Sequence, residues 1–347
     1  MGPIGAVFNC VYGVCAASVL RNLALEGNVE VFYHLDDIPA LDRDAAVTFG
    51  VFDGVHIGHQ AVIKTLLERA KQDNLISILV GFYPHPLGFL APERCPPILM
   101  PLSKRIEILE QLGIDKTVIL RFDGQIASMS PSTFVERVLL EKCFARQIVV
   151  GYACQFGKGR EGNGAFLQAF SENRPFEVSV VPPTQINGSP VHSTRIRDSI
   201  ARGDLGWSAQ LLGRTYSIVG DVVPGDGRGK HLGFPTANIE TDNQVCPPNG
   251  VYAIRARLMP ACEGALTLAG VLNIGTRPTF AGATFQIEAH FFDFDETIYG
   301  SSVEIFFVDK IRSERKFPGP DALVQQIQRD IAAASEILAE AESRLSP

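Results

Sequence analysis

The fold of the first half of the chain is decided by the stretch Val47-Thr48-Phe49-Gly50-Val51-Phe52-Asp53-Gly54-Val55-His56-Ile57-Gly58-His59. Residues 47–52 are mostly apolar and predict a strand, and residues 59–71 carry apolar side chains at helical spacing. A strand that turns through glycines into a helix is typical of open α/β sheets, in which ligands bind outside the carboxyl ends of the strands. The stretch therefore predicts a fold class and the edge of the sheet at which a ligand would bind.

The residues that follow repeat this alternation of strand and helix. Strands are predicted at 76–82, 118–122, 148–150 and 178–181, and helices at 105–112 and after Ser130, which would cap a helix that begins with Pro131. Continuous apolar strands separated by helices indicate a parallel sheet covered on both faces. We therefore predict a doubly wound α/β domain over residues 29–203.

The pattern changes in the second half of the chain. Short strands are predicted at 216–223, 251–258, 269–273, 285–291 and 303–308, with Gly, Pro and Asn between them and no intervening helices. This spacing favours a small antiparallel β-barrel or a β-sandwich over residues 204–347. Apolar residues at helical spacing from Leu323 to Leu338 predict a C-terminal helix that covers the barrel. The fold class is therefore α/β followed by β.

Composition excludes several classes of protein. The 347 residues are 46% hydrophobic and 20% charged, which is ordinary for a globular protein, and the net charge of -7 argues against a nucleic-acid binder with a basic surface. Seven cysteines without a C-x-x-C pair argue against disulfides or structural zinc and favour the cytoplasm. Residues 2–20 carry no charge, but no basic segment precedes them. We interpret residues 1–28 as a poorly ordered extension and expect no membrane partner.

The turn after the first strand has the features of a phosphate site. Gly54 and Gly58 would let the backbone approach a phosphate, and the helix N-terminus offers free N–H groups and a positive dipole end. His56 and His59 are three residues apart, so their rings can converge on one face of the first helical turn. Two imidazoles there could donate hydrogen bonds to phosphate oxygens. The alternative is a pair of structural histidines beside a glycine turn.

Two further segments fall near the same edge. Ser193 and Thr194 would cap a helix with Arg197 in its first turns, an arrangement suited to triphosphate oxygens, although an ordinary cap with solvated arginines has the same pattern. His85, in Phe82-Tyr83-Pro84-His85-Pro86, follows another predicted strand. It is either a substrate contact or a residue of a stiffened loop.

A second site is indicated in the barrel half. A glycine-rich loop with Gly225, Gly227 and Gly229 could close over phosphates, and Thr236 and Asn238 point the same way in an extended segment and could offer oxygens to Mg²⁺. Strict alternation places the side chains of Phe285, Ile287, Ala289 and Phe291 on one side of a strand and Glu288 on the other. Glu288 is therefore either a general base for phosphoryl transfer or a solvent-facing carboxylate.

The motifs that carry a family resemblance run through both halves. They are GVFDGVHIGH (50–59), FYPHP (82–86), STRIR (193–197), LLGR (211–214), GDGRGKHLGFPTAN (225–238), NGVY (249–252), NIGTRPTF (273–280) and IEAHFFDFDETIYG (287–300), with Arg312 near the end. In this order they resemble the bacterial bifunctional riboflavin kinase/FAD synthetase family.

The resemblance implies two reactions on small molecules alone, by a monomer or weak homo-oligomer. The barrel would phosphorylate riboflavin with Mg²⁺-ATP, and the α/β domain would transfer AMP from ATP to FMN and so give FAD and pyrophosphate. The implied ATP-binding residues of the α/β domain are Gly50, Phe52, Asp53, Gly54, His56, Gly58, His59, Ser193, Thr194 and Arg197. Those of the barrel are Gly225, Gly227, Gly229, Thr236 and Asn238, the last two as metal ligands. Glu288 would be the base, His56 and His59 the catalytic histidines, and His85 and Arg312 flavin contacts.

The chain departs from the family pattern at two places in the first half. Where the family has G-x-D-F-R/K-F-G, residues 151–157 contain Ala153, Cys154 and Gln155, and the family's paired serines are replaced by His192-Ser193. The alternatives are therefore a riboflavin kinase with an impaired or lost adenylyltransferase half, or a flavin-binding regulatory protein. Cytidylyltransferases and class I aminoacyl-tRNA synthetases also carry H-x-G-H, but we find no K-M-S-K-S-like loop.

Overall fold

The computed structural model describes residues 30–32, 36, 43–225, 229, 233–259, 267–279 and 282–343. The predicted extension, residues 1–28, lies outside the described residues, and so does Gly227 of the glycine-rich loop.

A parallel sheet forms the centre of the first half. The strands of this half are β1 Glu30–Phe32, β2 Ala45–Gly50, β3 Ile76–Tyr83, β4 Lys116–Arg121, β5 Ala145–Gly151, β6 Gln155–Phe156, β7 Gly162–Asn163, β8 Glu177–Val181, β9 Gln185–Ile186 and β10 Ser189–Pro190. Within the described residues, six of them pair in parallel in the order β1-β4-β3-β2-β5-β8. The pairs β6–β7 and β9–β10 form two small antiparallel ladders.

Helices alternate with these strands or follow them. They are α1 Ile57–Gln72, α2 Pro86–Leu90, α3 Leu102–Gln111, α4 Gly124–Ser128, α5 Pro131–Phe134 with a π-helical continuation Val135–Leu140, α6 Gly164–Ser171, α7 Ser193–Arg202 and α8 Leu205–Leu212, with 3₁₀ turns at Pro92–Arg94 and Lys158–Arg160. Ala46 packs with α1 and α3 on one face, and its neighbour Val47 packs with α5 and α6 on the other. Ser130 caps α5 as predicted. The doubly wound α/β prediction is confirmed.

The second half is an antiparallel barrel. Its strands are β11 Ser217–Val223, β12 Ala237–Glu240, β13 Gly250–Met259, β14 Thr267–Thr279, β15 Gly282–Phe291 and β16 Ser302–Arg312, followed by helix α9 Pro320–Ser343. In the described part of the chain these six strands close in the order β11-β12-β15-β14-β13-β16. Ala334 and Leu338 of α9 pack on Val251, Ala253 and Val271 outside the barrel. The barrel and its covering helix are confirmed.

The four residues predicted to share one side of β15 differ in burial. Ile287, Ala289 and Phe291 are buried in the barrel, but Phe285 is 46% exposed. This difference in burial follows from the way β15 pairs with its neighbouring strands. Strand β12 pairs with β15 only at Ala289 and Glu288, whereas β14 accompanies β15 along its whole length. Phe285 therefore lies on the part of the β14–β15 hairpin that extends past the paired wall.

Apolar and ionic contacts join the two halves in the described part of the chain. The apolar interior of the barrel continues into α7 and α8 through Ile196, Ile200, Leu211 and Leu212. Ion pairs join Lys104 and Glu107 of α3 to Glu304 and Arg257 of the barrel. The barrel interior is therefore closed in part by helices that follow the sheet directly in the chain.

Candidate functional sites in the two halves

The turn between β2 and α1 has an unusual backbone. Phe52 and Val55 have φ angles of +50° and +35°, and Gly54 lies between them with a φ of +85°. A Cβ atom at Gly54 would lie 2.6 Å from Cδ1 of Leu99, so the position admits glycine alone without rearrangement. Non-glycine residues in this region each cost about 1–3 kcal/mol and concentrate at functional sites. The turn is therefore held in place by its surroundings.

Asp53 is the centre of those surroundings. Its carboxylate is buried and accepts hydrogen bonds from the Leu99 N–H at 3.0 and 3.1 Å and from Nη2 of Arg197 at 2.5 Å. The hydroxyl of Ser193 donates to its main-chain oxygen at 3.0 Å. The structure thus brings the 50–59 and 193–197 motifs together, as a shared ATP site requires. The side chain of Asp53 contacts protein groups and positions the turn.

His56 and His59 are stacked at the start of α1. Their ring centroids are 3.6 Å apart with an interplanar angle of 16°. Nδ1 of His56 accepts a hydrogen bond from the His59 N–H at 3.2 Å and so caps the helix. This leaves Nε2 of His56 to carry the proton. The predicted convergence of the two rings is confirmed, and Gly58 lies between them in the first turn.

Both imidazoles are neutral at neutral pH. Burial, together with the charges of His192 and Arg214, lowers the pKa of His56 to about 4. Burial lowers the pKa of His59 well below its usual value, with His56 and Arg105 adding to the effect. Nδ1 of His59 is buried without a hydrogen-bond partner among the described residues. Neutral rings at a helix N-terminus can donate hydrogen bonds to phosphate oxygens and need not lose or gain a proton to do so.

The cap of α7 is not the one that the sequence predicted. His192, and neither Ser193 nor Thr194, is the N-cap residue, and its Nδ1 accepts from the Arg195 N–H at 3.3 Å. The hydroxyl of Ser193 is instead engaged with Asp53, and Thr194 is exposed in the first turn. An imidazole Nδ1 can replace a serine oxygen as acceptor at this position. The replacement of a family serine by His192 therefore keeps the helix capped.

Two arginines at this site were missed by the sequence reasoning. Arg105 on α3 is buried, donates from Nη1 to the main-chain oxygen of Val51 at 2.7 Å, and has an Nε without a partner among the described residues. Burial lowers its pKa, against the opposing influence of Asp53. Arg214 donates to the oxygens of Gly54 and Val55. Nothing in the local pattern pairs these arginines with the turn, because the contacts span 54 and 160 residues.

The two predicted flavin contacts have clear protein partners. Nδ1 of His85 accepts from the Leu87 N–H at 3.1 Å and caps α2, and burial lowers the pKa of the ring. Nε and Nη2 of Arg312 bind the Asp330 carboxylate at 2.7–3.0 Å, which ties the end of β16 to α9. Flavin binding by either residue stays a prediction.

The altered segment 151–157 keeps an ordered hairpin. Strand β6 pairs with β7, and the Phe156 ring packs against Phe49 and Phe134 at centroid distances of 5.0 and 5.6 Å. Cys154 packs against the same apolar cluster, and burial raises the pKa of its thiol to about 12. The local backbone therefore does not depend on the family's charged residues at these positions.

The second candidate site lies where β12 meets β15. Asn238 and Glu288 are direct partners in this ladder. Nε2 of Gln286 donates to Oδ1 of Asn238 at 3.2 Å and to Oε1 of Glu288 at 2.7 Å, so one amide orients both predicted residues. Alternation along β15 places Gln286 on the same side of the strand as Glu288.

The glycine-rich loop packs directly on this pair of strands. A Cβ atom at Gly225 would lie 1.8 Å from Nδ2 of Asn238, and one at Gly229 would lie 3.0 Å from Oγ1 of Thr236. Thr236 and Asn238 present neutral oxygens, which suit a Mg²⁺ ion that shares its remaining ligands with a triphosphate. These residues therefore fit a metal carried in with the nucleotide.

Two features are absent from the described residues. No group of three or more His, Cys, Asp or Glu side chains in them could hold a metal ion. No helix among them is long and apolar enough to cross a membrane.

Family models match successive parts of the chain. Residues 38–195 match a family model described as FAD synthetase, and residues 212–338 match one described as riboflavin kinase. A bifunctional riboflavin kinase/FMN adenylyltransferase of Haemophilus influenzae is 38% identical over 292 residues, which cover 84% of this chain and 94% of that protein. One of Listeria monocytogenes is 36% identical, with 83% of this chain and 91% of that protein covered.

A solved structure shares the fold across both halves. It is the crystal structure of a protein from Streptococcus pneumoniae described as a macrolide-efflux protein, with 29% sequence identity and a TM-score of 0.76. The match covers 87% of this chain and 97% of that chain. The combination of sheet domain and barrel is therefore not peculiar to this sequence.

Proposed function

Because the chain belongs to the family of bifunctional riboflavin kinase/FMN adenylyltransferases, we propose a division of its two activities between the two sites. The chain is an enzyme that phosphorylates riboflavin to FMN and adenylylates FMN to FAD. We assign the first step to the barrel and the second to the sheet domain. The observation that carries the assignment is the stacked pair His56–His59 at the N-terminus of α1. Imidazoles and the N–H groups of a helix N-terminus can both donate hydrogen bonds to phosphate oxygens.

In adenylyl transfer a phosphate oxygen of FMN attacks the α-phosphorus of ATP, and pyrophosphate leaves. This needs no protein nucleophile, so the protein contributes positioning and charge stabilisation. The Nε2–H groups of His56 and His59 would donate to phosphate oxygens as charge develops. Arg105 adds a buried positive charge beside them, and Thr194, Arg197 and the free N–H groups of α7 bind the remaining triphosphate oxygens.

In riboflavin phosphorylation the ribityl 5′-hydroxyl attacks the γ-phosphorus of a second ATP, and ADP leaves. Glu288 would accept the hydroxyl proton, since its carboxylate is oriented by Gln286 beside Asn238. Mg²⁺ would neutralise charge on the triphosphate, with Thr236 and Asn238 supplying oxygen ligands. Gly225 and Gly229 leave the loop backbone free to lie against phosphates.

Finer features of the enzyme are also part of the proposal. We divide it at residues 203 and 204, with residues 29–203 as the adenylyltransferase and residues 204–347 as the kinase. It acts on small molecules alone, as a monomer or weak homo-oligomer in the cytoplasm. The cysteine pattern supports the cytoplasm, and the net charge of -7 argues against a nucleic-acid partner.

The wild-type enzyme tests both activities when riboflavin and FMN are supplied separately with ATP and Mg²⁺. We expect chromatography to show FMN and FAD from riboflavin, and FAD from FMN. Production of FMN without FAD from either substrate would instead support a kinase whose first half has been impaired by the changes at residues 153–155. Omission of Mg²⁺ should abolish both products.

A further inference from the structure

A short segment of the kinase half contacts the adenylyltransferase turn. Leu212, Gly213 and Arg214 fall inside the region that matches the riboflavin kinase family model. Gly213 ends α8 with a φ of +72°, and a Cβ atom there would lie 2.9 Å from Cγ2 of Ile57, the first residue of α1. The end of α8 therefore lies against the start of the helix that carries His56 and His59.

Arg214 binds the main chain of the turn. Its Nη2 donates to Gly54 O at 2.6 Å, and its Nη1 donates to Val55 O at 3.2 Å and to Leu212 O at 3.3 Å. Nε2 of Gln60 donates to the same Val55 and Leu212 oxygens, each at 2.9 Å. One guanidinium and one amide thus join the turn to the end of α8.

These hydrogen bonds fall on the strained part of the turn. Val55 has a φ of +35° and immediately precedes His56, the cap of α1. A non-glycine residue keeps such a conformation only when its surroundings enforce it. Charge-assisted hydrogen bonds to carbonyl oxygens are about twice as strong as neutral ones. The guanidinium therefore holds the main chain directly before His56 in place.

We propose that Arg214 is a positioning residue for adenylyl transfer, supplied by the kinase half of the chain. It acts through the Gly54 and Val55 carbonyls, which fix the direction of His56 and, through the stacked rings, of His59. The inference rests on the proposed assignment of adenylyl transfer to the sheet domain. It extends that assignment, because it makes the geometry of one active site depend on a residue of the other half.

The test is the pair Arg214→Gln and Arg214→Lys, assayed for both activities in the full chain. A misplacement of about 1 Å can cost about 10²-fold in rate, so we expect kcat for FAD formation from FMN to fall roughly 10- to 100-fold in Arg214→Gln. The KM for ATP should change less, since the binding contacts of α7 are untouched. FMN formation from riboflavin by the same molecules should stay within about twofold of wild type, because the β12–β15 site lies on other elements. Arg214→Lys should recover part of the lost kcat because it keeps the positive charge. Recovery should be incomplete because a lysine cannot bind both carbonyl oxygens with a planar pair of N–H groups.

Arg202→Gln is the matched control, since Arg202 is an exposed arginine in the last turn of α7. It should change neither activity. An Arg214→Gln enzyme with normal kcat for FAD formation would overturn the proposal. An equal fall of both activities in Arg214→Gln and Arg214→Lys, with a lowered melting temperature, would also overturn it, because Arg214 would then stabilise the fold as a whole. His59→Ala distinguishes failure of the site assignment from failure of the inference about Arg214. If His59→Ala makes FAD at the wild-type rate, the assignment of adenylyl transfer to this site fails. If His59→Ala loses FAD formation but Arg214→Gln keeps it, only the inference about Arg214 is refuted.

Discussion

His56 and His59 begin the same helix, yet their ring nitrogens have different surroundings. Nδ1 of His56 is occupied as the helix cap, whereas Nδ1 of His59 is buried without a partner among the described residues. Both pKa values are lowered chiefly by burial. In the proposed mechanism the pair therefore acts through fixed hydrogen-bond donors, and proton transfer by these rings is not needed at neutral pH.

The lowered pKa of His56 predicts a specific loss of stability in acid. Its folded-state pKa of about 4 lies below the ordinary value of 6.5, so the unfolded chain binds the proton more readily. The contribution of His56 to stability is complete above pH 6.5 and is lost as the pH falls toward 4. Asparagine caps helices well but does not titrate. Between pH 7 and 4.5, His56→Asn should therefore lose about 2–3 kcal/mol less unfolding free energy than wild type in urea titrations.

Ser130→Asn is the control for this measurement, because it changes the cap of α5 without adding or removing a titratable group. It should keep the full acid loss of the wild type. An acid loss in His56→Asn equal to that of the wild type would mean that His56 is not held neutral by burial.

Single residues show where sequence reasoning works and where it stops. The three-residue spacing of His56 and His59 was enough to predict converging rings, because helix geometry alone brings them together. The predicted cap of α7 was wrong. The hydroxyl of Ser193 donates to the main-chain oxygen of Asp53, 140 residues away, and His192 caps the helix instead. Roles set by distant partners leave no local pattern to read.

At the scale of elements, helix α3 connects the sheet to the barrel with adjacent residues. Arg105 binds the Val51 oxygen of the turn, and Lys104 reaches Glu304 on β16 at 3.1 Å. Glu304 also accepts from Nε of Arg257 at 2.7 Å, and Nη2 of Arg257 binds Glu107 of α3 at 2.5 Å. Burial would raise the pKa of Glu107, but the hydrogen bonds and charges of Lys104 and Arg257 lower it. Two acids and two bases thus form one network between α3 and the barrel.

Removal of one charge from this network should lower the free energy of unfolding. Glu304 is fully buried and also accepts from the hydroxyl of Ser217 at 2.7 Å. Glu304→Gln leaves the buried Lys104 and the partly buried Arg257 facing the one carboxylate of Glu107, and breaking a buried pair typically costs about 3–5 kcal/mol. Glu68→Gln is the control, since Glu68 is exposed and 4.0 Å from Lys64, and it should change stability by less than about 1 kcal/mol. Equal unfolding free energies for the two variants would show that the network does not hold the halves together.

The elements themselves were largely predictable, but their ends were not. Apolar runs located the central strands of the sheet and the barrel because burial on one or both faces dictates those patterns. Strand β14 extends well beyond the predicted 269–273, to Thr267–Thr279, because it pairs with β15 at ten positions. Strand β12, only four residues long, was recognised as an extended segment and not as a barrel strand. Strand ends and short strands are decided by partners that a single segment does not contain.

At the scale of the whole molecule, the two halves carry different chemistries and share their structural supports. The end of α8 holds the β2–α1 turn, and the network of α3 holds the barrel. Motif order predicted two sites in two domains. The contacts between those domains could not be predicted, because they depend on charges and carbonyls brought together only by the complete fold.

The central claim is that each half performs one reaction at its own site, and a crossed product analysis tests it most directly. His59→Ala and Glu288→Gln are each given ATP and Mg²⁺ with either riboflavin or FMN, and the products are separated by chromatography. We predict that His59→Ala converts riboflavin to FMN and makes no FAD from either substrate, whereas Glu288→Gln leaves riboflavin unchanged but converts supplied FMN to FAD. Loss of both reactions in either folded variant, or FAD formation by His59→Ala at the wild-type rate, would contradict the account.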